Sequence, residues 1–308
     1  MDGKRIIKIG YQGEKGAYST EAIDTLYAER EVEKVPFRTS YEVVDGLKKE
    51  IIDYGLLPIE NSIIGNITHN YDLLLENKLT IVKEVIIPIH HFLLGCKGTK
   101  LNEITRIYSH PAAISQCEVF LRKFSNADIL PTYDTAGSAK MIAEKKLKNT
   151  AAIASQEAAS IYGLDILQER IEDYPHNRTR FLLVSSEPLQ VENEPFIPWK
   201  VSAVFDTLDQ HGMLYRCLGI FDEYAVNLSL LTSRPHKTEP WKYHFFVDVD
   251  GHANDENVAQ AFEKIKKLTG FVHIFGSYPR FEAEDSEVFG STNKETLIFF
   301  CTKRWVTF

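Results

Sequence analysis

No apolar run in the chain is long enough to span a bilayer, so nothing points to an integral membrane protein. The sequence also lacks the lysine- and arginine-rich block of a nucleic-acid or membrane-surface binder. Its formal net charge is −8 and its pI is near 5.7. Nucleic acid and membrane are therefore not expected partners, although an acidic protein can still hold a locally positive pocket for a small anion. Cysteine is scarce. Cys96, Cys117, Cys217 and Cys301 show no CxxC spacing and read as free thiols of a reducing compartment. The opening MDGKRIIKIG has no apolar core of a secretion signal, so a cytoplasmic protein is expected. Familiar catalytic signatures are missing too: there is no HExxH, no GxGxxG and no GxSxG, and YQGEKGAYS lacks the lysine and serine of a P-loop. His90, His91 and His110 have no partners at metal-ligand spacing, so no metal site is expected.

What remains is a chain of ordinary globular composition, 308 residues long with 44% hydrophobic and 25% charged residues, which is room for two domains. Residues 185–199, SSEPLQVENEPFIPW, carry three prolines and several acids and read as a linker. Before it, one theme recurs: an apolar strand, a small polar cluster, then a helical pattern. RIIKIG leads to YQGEKGAYSTEAI, YGLLPI to ENSIIGNI, ITRIY to SHPAAISQCEVFL, ADILPTY to DTAGSAKMIAE, and AAIA to SQEAASIYGL. Pro111 fits a first helical position, followed by an Ile114, Cys117, Leu121, Phe124 stripe. Thr39 and Glu42 form a capping-box pattern, and Gly163 suits a helix C-cap.

Alternating strands and helices predict an α/β fold with a largely parallel sheet. Ligands then bind beyond the carboxyl ends of the strands, where helix N-termini favour anions. The hydroxyls and amides at these joints read either as N-caps or, together, as an anion-binding cleft. After the linker, KVSAVFD, GMLYRCLGIFDEY, VNLSLLTS, KYHFFVDVDG, NDENVAQAFEKIKKL and FVHIFGSY follow the order βαββαβ, the ferredoxin-like split unit, with Leu214, Leu218 and Phe221 expected on one helix face. The later run LIFFC has no place in that scheme.

Two polar clusters stand out. PIENS, residues 58–62, reads equally as a turn with a solvated Glu60 or as a buried site. HNRTRFLLV, residues 176–184, reads by itself as a basic strand entrance in which Thr179 is a β-branched residue.

In their order, GYQGEKGAYSTEA, LLPIENSIIGNI, SHPAAISQC, DTAGSAK with AAIASQEAASIYGL, and NRTRFLLV resemble the prephenate dehydratase family. GMLYRCLGIF, NLSLLTSRP and YHFFVDVDGH resemble an ACT regulatory domain. The resemblance covers about residues 5–281. It implies a two-lobed, periplasmic-binding-protein-like catalytic region over residues 1–190 and a ferredoxin-like ACT domain over 198–281. Residues 282–308 form an extension of no assigned role. The implied reaction converts prephenate to phenylpyruvate, with loss of carbon dioxide and water, and uses no metal or organic cofactor. L-Phenylalanine is the implied allosteric effector, and the implied assembly is a homodimer or homotetramer.

Carried onto this sequence, the resemblance makes Thr179, Glu60 and Asn61 the catalytic group, with Thr179 bonding the departing ring hydroxyl. Ser62, Ser109, Gln116, Thr135, Arg180 and Phe181 would bind substrate. Gly212, Met213, Leu214, Asn227, Leu228, Ser233, Arg234 and Pro235 would bind effector. Four positions depart from the family pattern: Ala112 stands where a glutamine is usual, Ala17 where a hydroxyl is, Thr232 where an acid is, and Met213 where a small residue is. Two rival readings remain, an arogenate dehydratase and a non-catalytic amino-acid sensor.

Overall fold

The computed structural model describes residues 5–189, 196–208 and 210–282. LIFFC, Cys301 and most of the C-terminal extension lie outside the described residues, as does the middle of the linker.

The first lobe is built from β1 (Ile7–Gln12), α1 (Tyr18–Leu26), β2 (Val32–Phe37), α2 (Ser40–Lys48), β3 (Tyr54–Asn61), β4 (Gly65–Asn66), α3 (Thr68–Glu76) and β5 (Thr80–Pro88). The chain then crosses to a second lobe of β6 (Phe92–Gly95), β7 (Arg106–Ser109), α4 (Pro111–Gln116), α5 (Glu118–Leu121), β8 (Asp128–Pro131), α6 (Thr135–Glu144), β9 (Thr150–Ala154), α7 (Gln156–Tyr162) and β10 (Asp165–Gln168). It crosses back as β11 (Arg178–Ser185), which enters the first sheet between β3 and β5. The C-terminal unit comprises β12 (Trp199–Asp206), α8 (Met213–Glu223), β13 (Leu228–Pro235), β14 (Tyr243–Asp250), α9 (Glu256–Thr269) and β15 (Val272–Pro279).

The first sheet runs β2-β1-β3-β11-β5, the second β10-β6-β9-β7-β8 and the third β13-β14-β12-β15. The expectation of largely parallel sheets holds for β2-β1-β3 and for β8-β7-β9. The strands at the crossings, β11, β6 and β10, pair antiparallel because the chain returns in the opposite sense. The third sheet is antiparallel throughout and keeps the expected βαββαβ order.

Local chemistry explains most boundaries. Thr39 accepts from the Glu42 amide, Pro111 opens α4 behind His110, and Gly163 ends α7 at φ 64°. The Ile114–Phe124 stripe is broken at Cys117, where one helix ends and another begins, although Cys117 and Leu121 are buried as expected. On α8 the buried face is Met213, Cys217, Ile220 and Phe221, rotated from the expected one because Leu214 and Leu218 lie at its margin. ENSIIGNI does not open a helix. The strand runs on through Asn61, whose Oδ1 accepts the Ile63 and Ile64 amides (3.0 Å each), and Gly65 at φ 88° turns the chain into β4.

Candidate active site

β11 lies between two cores. Alternation puts Phe181 and Leu183 among Ile9 and Tyr11 on one face. Leu182 and Val184 pack with Val204, Phe246 and Phe275 of the third sheet on the other. Thr179 shares the face of Phe181, and Arg180 shares that of Leu182.

On β3, Leu57 and Ile59 belong to the second of these cores. Unbroken alternation would send Asn61 the same way. A β-bulge intervenes: Pro58 stands opposite Phe181 and Glu60 opposite Arg180, so Ile59 is one residue too many. The extra residue turns Asn61 to the side of Thr179, its register partner.

The Asn61 side chain is buried and fully engaged. Its Nδ2 donates to Thr179 Oγ1 (2.9 Å), Asn177 Oδ1 (2.8 Å) and the Arg178 carbonyl (3.0 Å). Its Oδ1 also accepts from Gln116 Nε2 (3.1 Å). Gln116 Oε1 lies 2.7 Å from His91 Nε2, and His91 Nδ1 lies 2.7 Å from the Tyr18 hydroxyl. Thr179 is therefore one end of a buried chain of five side chains drawn from both lobes. Its oxygen accepts from Asn61, and among the described residues its own proton has no protein acceptor. Burial depresses the His91 pKa and lifts that of Tyr18 far above its ordinary value, so both are neutral near pH 7.

Four expected contacts change. Arg180 points away from Thr179: its Nε donates to Glu84 (2.7 Å) and its Nη2 to the Tyr278 hydroxyl (3.0 Å). Its Nη1 lies 2.6 Å from Asp248 Oδ2 but outside hydrogen-bonding angles, a charge contact. Lys200 completes the cluster on Glu84 at 2.9 Å. Glu60 stands on Arg180's side, 3.9 Å from Nη1, so the group that engages Thr179 is Asn61. Ser109 is wholly buried and donates to the Ile153 carbonyl (2.7 Å), which commits its hydroxyl to the neighbouring strand. Phe181 is a core residue rather than a pocket wall.

Gln116 joins the chain as described. Ser62 accepts the Arg178 amide (2.9 Å) and so ties the PIENS turn to the strand entrance. Thr135 opens α6, but the cap there is Asp134, which accepts from Gly137 (2.8 Å) and from Glu14 (3.1 Å). Burial raises the Asp134 pKa. α4 is capped by His110 and α7 by Ser155, whereas α3, whose N-cap is Ile67, and α1, whose N-cap is Ala17, have no side-chain cap. The start of α1 favours an anion, although its Thr20 amide already donates to the Ala17 carbonyl (2.8 Å), and Tyr18 on its first turn is the far end of the Thr179 chain. A cavity of about 420 Å³ lies beside it, lined by Gly13, Glu14, Pro36, Phe37, Arg38 and Tyr133, and thus by both lobes. Thr179 is not on its wall. On its wall, Glu14 accepts from Lys140 (2.9 Å) and from Tyr133 (3.0 Å). They hold its pKa below the ordinary value against the opposing effect of burial.

In the C-terminal unit, Gly212 caps α8 at φ 72° and is exposed, while Met213 and part of Leu214 belong to the core. Asn227 donates to Asp250 (2.7 Å), and Leu228 packs at the core edge. Ser233 and Pro235 are exposed on the edge strand β13. Arg234 makes a two-pronged pair with Asp72 of α3 (3.1 and 2.8 Å), so it docks the two domains. Among the described residues, Asp206, His236 and His244 are the one group close enough to share a cation, and His244 and Asp206 already satisfy each other at 2.5 Å.

Residues 9–189 match the family model described as prephenate dehydratase. The chain belongs to the prephenate dehydratase family. Residues 201–267 match the ACT domain model. The chain is 37% identical to an arogenate dehydratase from Petunia hybrida over 291 residues, 89% of this chain and 67% of that protein. Among solved structures it resembles the prephenate dehydratase from Arthrobacter aurescens in complex with L-Phe (TM-score 0.79, 29% identity, covering 89% and 90% of the two chains). It resembles equally GqqA, described as a novel type of quorum quenching acylase (TM-score 0.79, 31% identity, 89% and 98%).

Within this member of the prephenate dehydratase family, three parts of the site were not anticipated from sequence. His91 and Tyr18 carry the chain away from Gln116. Asn177, 1% exposed, accepts from Asn61 through its Oδ1, while its Nδ2 has no partner among the described residues. Glu172 holds the His91 amide (2.9 Å) and His90 Nδ1 (2.8 Å). The adjacent pair His90-His91 between two apolar strands was the available signal for the first of these.

Proposed function

We propose that this chain converts prephenate to phenylpyruvate, with Thr179 assisting departure of the ring hydroxyl. The observation that carries the reading is the polarity of one bond: Asn61 donates to the Thr179 oxygen, which leaves the threonine proton for a substrate. In the reaction the electron pair of the breaking ring–carboxylate bond enters the ring. The hydroxyl oxygen leaves with its own bonding pair and takes a proton on its way to water. Aromaticity supplies the driving force, so the protein has to orient the substrate and stabilise the departing oxygen. A neutral hydroxyl fixed as a donor suits that task. The uncapped start of α1 suits the keto-acid carboxylate. The same arrangement disfavours acyl transfer, because a nucleophilic threonine needs a base on its proton and Asn61 is none.

Catalytic and substrate-binding roles are thus assigned to Thr179, Asn61 and Ser62. Phenylalanine is assigned to the ACT domain, around exposed Gly212, Asn227 and the β13 edge. The family match to an ACT domain and the L-Phe complex of a similar dehydratase support this. The exposed β13 edge, with Leu231 44% exposed, is the surface through which copies of the chain would associate as a homo-oligomer. The cytoplasm remains the proposed location, on the strength of free Cys96, Cys117 and Cys217.

Turnover of purified protein on prephenate and on arogenate tests the substrate, and faster turnover of arogenate would reverse the assignment. Thr179→Val keeps the shape and removes the proton. It is expected to lower kcat about 10²- to 10⁴-fold, with Thr179→Ser retaining activity. Wild-type kcat in the valine variant would remove Thr179 from the chemistry.

A further inference from the structure

The buried chain from Tyr18 to Thr179 has a direction, and two backbone amides set it. Amide orientation in a side chain follows from its partners. Asn61 Oδ1 faces the Ile63 and Ile64 N–H groups at 3.0 Å each, and these can only donate. The facing atom is therefore the acceptor, and Asn61 Nδ2 is the end directed at Thr179. Gln116 must then present its Nε2 to Asn61 Oδ1 (3.1 Å) and its Oε1 to His91 (2.7 Å). His91 must carry its proton on Nε2. Its Nδ1 lone pair is left to accept the Tyr18 hydroxyl at 2.7 Å. That hydroxyl also donates to the His90 carbonyl at 2.7 Å, so its one proton is shared between this carbonyl and His91 Nδ1.

We propose that Tyr18, His91 and Gln116 are positioning residues that keep Thr179 a hydrogen-bond donor toward its substrate. They touch neither Thr179 nor the space around its proton; they act through Asn61. The proposal rests on the dehydratase reading for the identity of the substrate, and on the hydrogen-bond partners alone for the polarity. From Thr179 to His91 each link has one donor and one acceptor, so reversing any of them sets two acceptors or two donors face to face in a buried site, which is costly. A threonine with two acceptors to choose from would divide its proton between them. Here the wiring removes the second.

Gln116→Glu tests this with almost no change of shape. An ionised carboxylate can only accept, and it would face the fixed acceptor Asn61 Oδ1. The groups facing position 116 are His91, with Tyr18 and Glu172 against that residue, and Asp173, whose amide bonds the Gln116 carbonyl (2.7 Å). At neutral pH the variant is expected to lose about 10²-fold in kcat on prephenate, with KM little changed. As pH falls and the introduced carboxyl takes up a proton, it regains a donor, and the deficit relative to wild type should shrink. Gln116→Met has neither donor nor titration and should show the loss at every pH. Wild-type kcat in Gln116→Glu at neutral pH would overturn the proposal. So would a deficit independent of pH, which marks a packing role.

Nitrogen-15 NMR of His91 in the folded, substrate-free protein gives a readout without turnover. The neutral Nε2–H tautomer is expected, and the Nδ1–H tautomer would overturn the polarity. A wild-type protein inactive on prephenate but carrying the Nε2–H tautomer would sink the dehydratase reading and leave the hydrogen-bond direction standing.

Discussion

At the scale of the residue, neighbours on a strand can belong to different machines. Thr179 and Arg180 are adjacent, yet one ends the hydrogen-bond chain and the other anchors a charge cluster. A strand alternates its faces, which separates the two, yet the resemblance puts Arg180 in the substrate site beside Thr179. Asn61 was named from the PIENS motif, but its aim was not legible, since alternation alone points it into the core with Ile59. The partners Tyr18 and His91 lie 73 residues apart, a pairing no local pattern encodes. Another residue invites a direct measurement. Burial, and then the nearby carboxylates of Glu157 and Asp24, push the Glu21 pKa from 4.5 up to about 7. A raised carboxyl pKa means the folded state prefers the protonated form. Its contribution is therefore complete below about pH 4.5 and is lost as pH rises through about 7. Glu21→Gln should flatten that slope and raise the melting temperature above neutral pH relative to wild type. Parallel melting curves against pH for the two proteins would contradict it.

At the scale of the element, β11 does two jobs and shows it in its burial, with seven of its eight residues buried. Its sequence, RTRFLLVS, reads as a central strand, but only the crossing topology explains why it sits between β3 and β5. Arg180 leaves this strand for a cluster whose members Glu84, Lys200, Asp248 and Tyr278 come from four other strands. β15 also lies close on β5: a Cβ added at Gly276 would come within 2.4 Å of the Ile81 carbonyl oxygen. Arg180→Met would strip one cation from two buried acids. It is expected to destabilise the fold by about 3–5 kcal/mol in urea unfolding, the usual cost of leaving a buried charge without its partner. A substrate-binding arginine would instead raise KM in a protein of unchanged stability, so the two measurements together separate the roles.

At the scale of the whole molecule, the α/β character of the N-terminal region and the βαββαβ order of the C-terminal unit were legible in periodicity, whereas the split into two sheets with antiparallel crossing strands was not. The docking of the third sheet on the first was not, since Arg180–Asp248 and Arg234–Asp72 join residues far apart in the chain. These contacts give the assembly a predictable response to acid. Burial opposes ionisation of both Glu84 and Asp72, but Arg180 and Lys200 beside the first, and Arg234 and Lys237 beside the second, hold each pKa below its ordinary value. A depressed carboxyl pKa contributes stability above the ordinary value and loses it as pH falls through the folded one. The docked arrangement should therefore weaken below about pH 4.5, and small-angle scattering should show the radius of gyration growing there before the lobes unfold. An unchanged radius up to the point of global unfolding would show that the ion pairs are not what holds the domains together.

The chain crosses between the lobes twice, and the crossings lie side by side, with Ile89 donating to the Asn177 carbonyl (2.8 Å) and Ile171 to the His91 carbonyl (2.9 Å). Two adjacent strands of backbone joining two bodies form a pivot, and points near a pivot move least when the bodies swing. His91 sits on one crossing, Asn177 on the other, and Thr179 follows Asn177 by two residues. Any swing of one lobe against the other would therefore displace the rim of the cleft most and the Thr179 hydroxyl least.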